Sequence, residues 1–180
     1  MQANVRKLRL LFLCTGNSCR SQMAEGWARA LKGDLVEAYS AGIEKHGMNP
    51  YAVRVMAEAG VDISKQYSKT PAEIGPVEFD YVVTVCGHAE RHCPVFPGKA
   101  KQLHVGFEDP PRLTEHVPNG EQKLTVYRRV RDEMRAFVER IPEVLQCEAE
   151  SQGKDCVRTV GEILAGMLDA PAAQAPAPSR

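Results

Sequence analysis

Cys14-Thr15-Gly16-Asn17-Ser18-Cys19-Arg20-Ser21 sets a thiol and a guanidinium on either side of five residues. The motif follows the apolar run Leu8 to Leu13 and opens a stretch of helical spacing, so it lies between a strand and a helix N-terminus. Such a loop is an oxyanion cradle. Backbone N–H groups from Thr15 to Arg20 can turn inward, the helix dipole adds partial positive charge, and Arg20 offers a planar fork that suits a tetrahedral anion. The same field favours a Cys14 thiolate, the form that attacks, and makes Cys14 the candidate nucleophile. A buried cysteine at a strand end is the plainer reading, and the loop with Arg20 behind it argues against that.

The elements that must position these groups alternate. Leu8 to Leu13 is a continuous apolar strand, suited to the centre of a parallel sheet covered on both faces. Met23, Trp27, Ala30 and Leu31 give the following helix its core face. Leu35 to Ala41 is a second strand, Pro50 to Ala59 a helix stopped by Gly60, Phe79 to Val85 a third strand, and Gln102 to Val105 a fourth. A long helix from about Glu121 turns Val126, Val130, Met134, Phe137, Val138 and Ile141 inward until Pro142. Strands alternating with helices imply an α/β fold with an open parallel sheet, whose ligands sit beyond the carboxyl ends of the strands. Cys14 and Cys86 both follow strand ends, and Asp109 comes just after the fourth, so three reactive groups converge on one rim.

A chain of 180 residues suits one domain with a substantial core. We expect that domain over residues 1–150 and an extension over 151–180. In the extension Val157, Val160, Ile163, Leu164, Met167 and Leu168 follow helical spacing, ahead of a Pro/Ala-rich, disordered end from Ala170 to Arg180. The 23 basic residues match the 23 acidic ones, so no global field draws the protein to nucleic acid or to an anionic membrane. No apolar segment approaches the length of a membrane span, and Met1 to Arg9 is too polar to lead a signal sequence. A cytoplasmic protein is expected. There, Cys14, Cys19, Cys86, Cys93, Cys147 and Cys156 point to catalysis, redox chemistry or metal binding rather than to a permanent disulfide framework.

Several separated motifs agree, in order, with one known family: the run Leu11 to Trp27, Tyr39-Ser-Ala-Gly-Ile43, His46-Gly-Met-Asn-Pro50, Val61-Asp-Ile-Ser64, Val82-Val-Thr-Val-Cys86 and Cys93-Pro94. Over about residues 5 to 145 the chain closely resembles thioredoxin-coupled arsenate reductases, which share the fold of low-molecular-weight protein tyrosine phosphatases. The resemblance implies a four-stranded parallel sheet flanked by helices and reduction of arsenate to arsenite. It implies Cys14 as nucleophile, with Arg20 and the amides of Thr15, Gly16, Asn17, Ser18 and Cys19 holding the oxyanion. Asp109 would be the general acid, with Glu108 as the competing carboxylate, and Ser21 a hydrogen-bond donor to the thiolate. Cys86 would attack the Cys14–arsenic adduct, and Cys93 would resolve the Cys14–Cys86 disulfide for reduction by thioredoxin. No organic cofactor and no metal is required. Some members bind potassium through an asparagine, a glutamate, a serine and an aspartate; this chain matches Asn17, Glu25 and Ser40 but has Lys69 for the aspartate, whose ammonium could take the ion's place.

Two other readings stay open. Cys86, His88, His92 and Cys93 could bind zinc, although structural zinc ligands usually come as pairs split between separate segments rather than crowded in one loop. A low-molecular-weight tyrosine phosphatase uses the same cradle and aspartate, but those usually have Ser-Pro where this chain has Ser21-Gln22, place an aromatic where it has Pro111, and lack the Cys86 and Cys93 pair. A departure from the reductases is His104-Val105, where many members carry tryptophan. Cys86 and Cys93, if joined by a helical turn, would lie about 10 Å apart, too far for a disulfide without unwinding at Gly87.

Overall fold

An apolar run buried on both faces needs a strand on each edge and a layer on each side, and Leu8–Cys14 (β1) has them. The computed structural model describes residues 6–86, 96–118, 120–145 and 157–159. β1 pairs in parallel with Val36–Gly42 (β2) on one edge and Tyr81–Thr84 (β3) on the other. Lys101–Gly106 (β4) lies outside β3, and the short Val157–Thr159 (β5) adds to its far edge, giving the order β2-β1-β3-β4-β5. The expected open parallel sheet of four strands is therefore present, widened by β5. Helical spacing from Val157 misleads here, because pairing with the exposed edge of β4 draws Val157–Thr159 into the sheet. The rest of the expected C-terminal helix lies outside the described residues.

The helices between the strands are Arg20–Lys32 (α1), Pro50–Glu58 (α2), Pro71–Ile74 (α3), Pro110–Leu113 (α4) and Glu121–Glu139 (α5). On one face of β1, Leu10, Phe12 and Cys14 pack among Met23 and Trp27 of α1, Val55 and Met56 of α2, and Val130, Met134 and Phe137 of α5. On the other face Leu11 and Leu13 meet Ala41 and Val82, with Ile74, Phe79 and Phe96 closing over them. Phe12 is fully buried; replacing it by alanine would cost about 3–5 kcal/mol in lost transfer energy and cavity.

Local chemistry sets the helix ends. Asn49 caps α2, its Oδ1 accepting from Tyr51 N and Ala52 N at 2.9 and 3.1 Å, with Pro50 at the first helical position and Gly60 at φ +82° beyond the end. In α1 every residue from Arg20 to Ala28 is buried, but Ala30 and Leu31, expected on the core face, are exposed in its last turn. The buried stripe of α5 runs from Leu124 and Tyr127 through Val130 and Met134 to Phe137 and Val138, leaving the expected Val126 half-buried beside it. Cys14, Val85, Cys86 and Phe107 all fall at the carboxyl ends of strands, where an open parallel sheet presents its ligand rim.

Candidate active site

The loop from Cys14 to Arg20 is shaped from outside. Its carbonyls are taken one after another by neighbours: Cys14 O by Ile43 N at 3.3 Å, Thr15 O by Glu44 N at 2.9 Å, Gly16 O by His46 N and Ser68 Oγ, both at 3.0 Å, and Ser18 O by Asn49 N at 3.0 Å. Asn17 O accepts from Gln22 Nε2 at 3.0 Å. Because a planar trans peptide points its N–H opposite to its C=O, outward carbonyls at residues 14 to 18 turn the amides of residues 15 to 19 inward. Asn17 makes the sharp part of the turn at φ 45°, a region asparagine tolerates. The Cys19 side chain does not cap α1, so the helix opens toward the cradle without its own side-chain acceptor.

Cys14 Sγ lies 2.8 Å from Ser21 Oγ and accepts from Asn17 N at 3.2 Å. Asn17 fixes the direction of the Ser21 bond. Its Oδ1 accepts the backbone N–H of Lys69 at 2.8 Å, an unambiguous donor, and Gln22 Nε2 at 2.9 Å, so Nδ2 faces the other way. That nitrogen donates to Ser21 Oγ at 2.9 Å and Ser40 Oγ at 3.0 Å. With that lone pair engaged, the Ser21 hydroxyl has its proton free to turn toward the sulfur. Ser40 in turn donates to Glu25 Oε2, and Glu25 is flanked by Arg29 at 2.6 Å and by the Lys69 ammonium at 3.5 Å. Lys69 thus stands beside Glu25, where its sequence position pointed.

Arg20 is buried, and its fork is held by strand ends: NH1 donates to Phe107 O at 3.0 Å and Val85 O at 3.4 Å, while NH2 is 3.3 Å from Asp109 Oδ1. Asp109 begins α4 without a side-chain cap bond, which leaves its carboxylate turned to Arg20. The competing Glu108 points elsewhere, to Arg129 at 2.6 Å. Cys19 lies beneath the loop, and burial pushes its thiol far above the usual range, so it stays protonated. Cys86 is fully buried at the end of β3, in the same core cluster as Cys14. Cys93, His88 and His92 lie outside the described residues, as do Gly87, Cys147 and Cys156. Among the described residues no three metal-ligating side chains gather.

Gln22 belongs to the site although the sequence motifs do not mark it. Besides Asn17 O and Oδ1, its amide reaches Tyr67 O at 2.9 Å, and Gln66 Nε2 closes on Gln22 Oε1 at 2.8 Å. The signal was the glutamine at the position where proline was the alternative: proline has no side-chain donor and could make none of these bonds.

The family model for low molecular weight phosphotyrosine protein phosphatases matches residues 9–150. An arsenate reductase of Halalkalibacterium halodurans is 51% identical over 125 residues, covering 69% of this chain and 88% of that protein. One from Bacillus subtilis is 51% identical over 127 residues, again covering 69% and 88%. A solved arsenate reductase in a phosphate-binding state superposes with a TM-score of 0.59 at 31% identity, covering 74% of this chain and 95% of that one.

Proposed function

Because this chain belongs to the low molecular weight phosphotyrosine protein phosphatase family, and within it is half identical to arsenate reductases, we propose that its reduction of arsenate runs through Cys14, Cys86 and Cys93 with thioredoxin as the reductant. Arsenate enters the cradle, its oxygens on the inward amides and Arg20. The Cys14 thiolate, held by Asn17 N–H and the Ser21 hydroxyl, attacks arsenic while Asp109, carrying the proton that Cys14 gave up on ionising, passes it to the departing hydroxide, so water leaves and a sulfur–arsenic bond remains. The Cys86 thiolate then attacks Cys14 Sγ. A disulfide forms, the electron pair of the sulfur–arsenic bond passes to arsenic, and As(V) departs as arsenite, its two electrons drawn from two thiols. Cys93 attacks Cys86, restoring the Cys14 thiolate and leaving Cys86–Cys93 for a thioredoxin dithiol to reduce.

One relationship carries this reading. Leu13 pairs with Thr84 at the end of the ladder, and Val85 N donates to Leu13 O at 3.0 Å, so Cys14 leaves β1 and Cys86 leaves β3 side by side at the same rim of the sheet. Both cysteine side chains are buried in the same core cluster, as a disulfide between the ends of neighbouring strands requires. Hydrolysis of a phosphate ester calls for no second thiol there.

The cradle and Asp109 would equally serve an aryl phosphate, so the test runs both reactions. Reduced thioredoxin is to be oxidised in an arsenate-dependent, multiple-turnover reaction. Efficient hydrolysis of an aryl phosphate without arsenate-dependent oxidation would overturn the reductase reading.

A further inference from the structure

Lys69 is 7% exposed, and an ammonium is costly to bury without partners. Its Nζ has Glu25 Oε2 at 3.5 Å, Tyr67 O at 3.3 Å and the Tyr67 ring at 4.9 Å from its centroid. A buried ion pair is often no more stabilising than apolar residues of the same volume, so packing alone gives little reason for a charge here. What the charge adjoins gives a better one. Glu25 ends a chain of hydrogen bonds that runs through Ser40 Oγ, Asn17 Nδ2 and Ser21 Oγ to Cys14 Sγ. Lys69 also grips that chain by its backbone, donating to Asn17 Oδ1 at 2.8 Å and accepting from Gly42 N at 2.9 Å.

We propose that Lys69 is a positioning residue whose tethered ammonium holds the Glu25 carboxylate in line, so that Ser40, Asn17 and Ser21 keep a proton aimed at the Cys14 sulfur. Glu25 accepts the Ser40 proton only while its own oxygens are fixed, and two cations fix them, Arg29 on Oε1 and Lys69 on Oε2. Arg29 is largely exposed and rides on the same helix as Glu25, whereas Lys69 comes from a separate segment that also carries the backbone bond to Asn17. Loss of the Lys69 ammonium leaves a buried oxygen-rich pocket with one charge too few. Its floor opens on a cleft of about 610 Å³ that Glu25 and Lys69 line together with Asp62, Lys65 and Glu73, so a small cation can reach the vacated place.

The inference rests on Cys14 as the nucleophile, and its readout needs neither arsenate nor thioredoxin: the rate at which iodoacetamide alkylates Cys14, followed by peptide mass across pH 5 to 9. In folded Lys69→Ala the rate at neutral pH falls about tenfold and the profile moves to higher pH, because the thiolate has lost an aimed donor. Ammonium or potassium ions, at constant ionic strength, restore the rate saturably in Lys69→Ala and leave the parent protein unchanged. Glu25→Gln gives the second arm: Lys69→Ala in that background adds little, since the two act through one another. An unchanged alkylation profile in folded Lys69→Ala overturns the proposal. So does a displaced profile that no cation corrects, or full additivity of the two substitutions. Failure of the arsenate reaction with an intact Cys14 profile bears on the proposed function instead.

Discussion

The Arg20 guanidinium and the Asp109 carboxylate stand 3.3 Å apart, one from the first turn of α1 and the other at the head of α4. Arg20 is anchored by the carbonyls of Val85 and Phe107, so its second amino group is shared between Asp109 and whatever anion enters. Asp109→Asn removes the group that carries a proton to the leaving oxygen and, in the free protein, a negative charge that competes with the anion for Arg20. The turnover number therefore falls about 10²- to 10⁴-fold, while inorganic phosphate, as a competitive inhibitor, binds more tightly than to the parent. Weaker phosphate inhibition with unchanged turnover would refute the role given to Asp109.

The thiols separate by stage. Cys14→Ser loses all turnover, because a hydroxyl in the cradle is not ionised. Cys86→Ser stops at the arsenic adduct and releases no arsenite. Cys93→Ser releases one equivalent and halts with Cys14 joined to Cys86. Arsenite counting and intact mass distinguish the three, and sustained thioredoxin-driven turnover by Cys93→Ser would remove Cys93 from the relay. Cys19 stays unalkylated at pH 8 in the folded protein, since burial keeps it a thiol.

Two glycines, Gly16 within the loop and Gly42 beneath it, differ in what a methyl group would meet. At Gly42 an added Cβ falls 2.7 Å from Asn17 N, 2.7 Å from Thr15 O and 2.6 Å from Glu44 O, all backbone atoms with nowhere to go. At Gly16 it runs into His46 Nδ1 and lies 2.6 Å from His46 Cγ, the ring of a half-exposed side chain that can swing aside. Gly42→Ala should cost about 1–3 kcal/mol of stability and most of the phosphate affinity. Gly16→Ala should cost much less of both. Chemical denaturation and phosphate titration of the pair decide it, and equal losses would mean that the His46 ring is fixed.

The cradle was legible in sequence because its parts are contiguous: Cys14, the small residues after it and Arg20 declare a loop between an apolar strand and a helix. What shapes the cradle was not. The donors to its carbonyls come from residues 43 to 49 and from Ser68, and Gln22, which holds Asn17, also reaches Tyr67, 45 positions further along the chain than itself. No local pattern encodes partners that only the crossover connections bring together. The choice between Glu108 and Asp109 was similarly open, since adjacent carboxylates differ only in which arginine each faces. Periodicity failed at Ala30 and Leu31, where the last turn of α1 is exposed, and at Val157, where an unpaired sheet edge outweighed helical spacing.

Tyr127 of α5 links the core to the cradle, and its titration shows how. Asn49, whose backbone N–H holds Ser18 O, donates through Nδ2 to the Tyr127 hydroxyl at 3.1 Å. Burial pushes the phenol up to about 12 from an ordinary value near 10. The fold therefore favours the protonated phenol. The stability this contributes is complete below about pH 10 and is lost as pH rises through about 12. Tyr127→Phe has no proton to lose, so its thermal midpoint should decline less steeply than the parent's between pH 10 and 12. At neutral pH the same substitution costs about 1 kcal/mol, because the Asn49 amide loses its acceptor, and the slackened Ser18 wall should weaken phosphate binding. Parallel declines above pH 10, together with unaltered phosphate affinity, would show that the Asn49–Tyr127 bond supports neither the alkaline limb nor the loop.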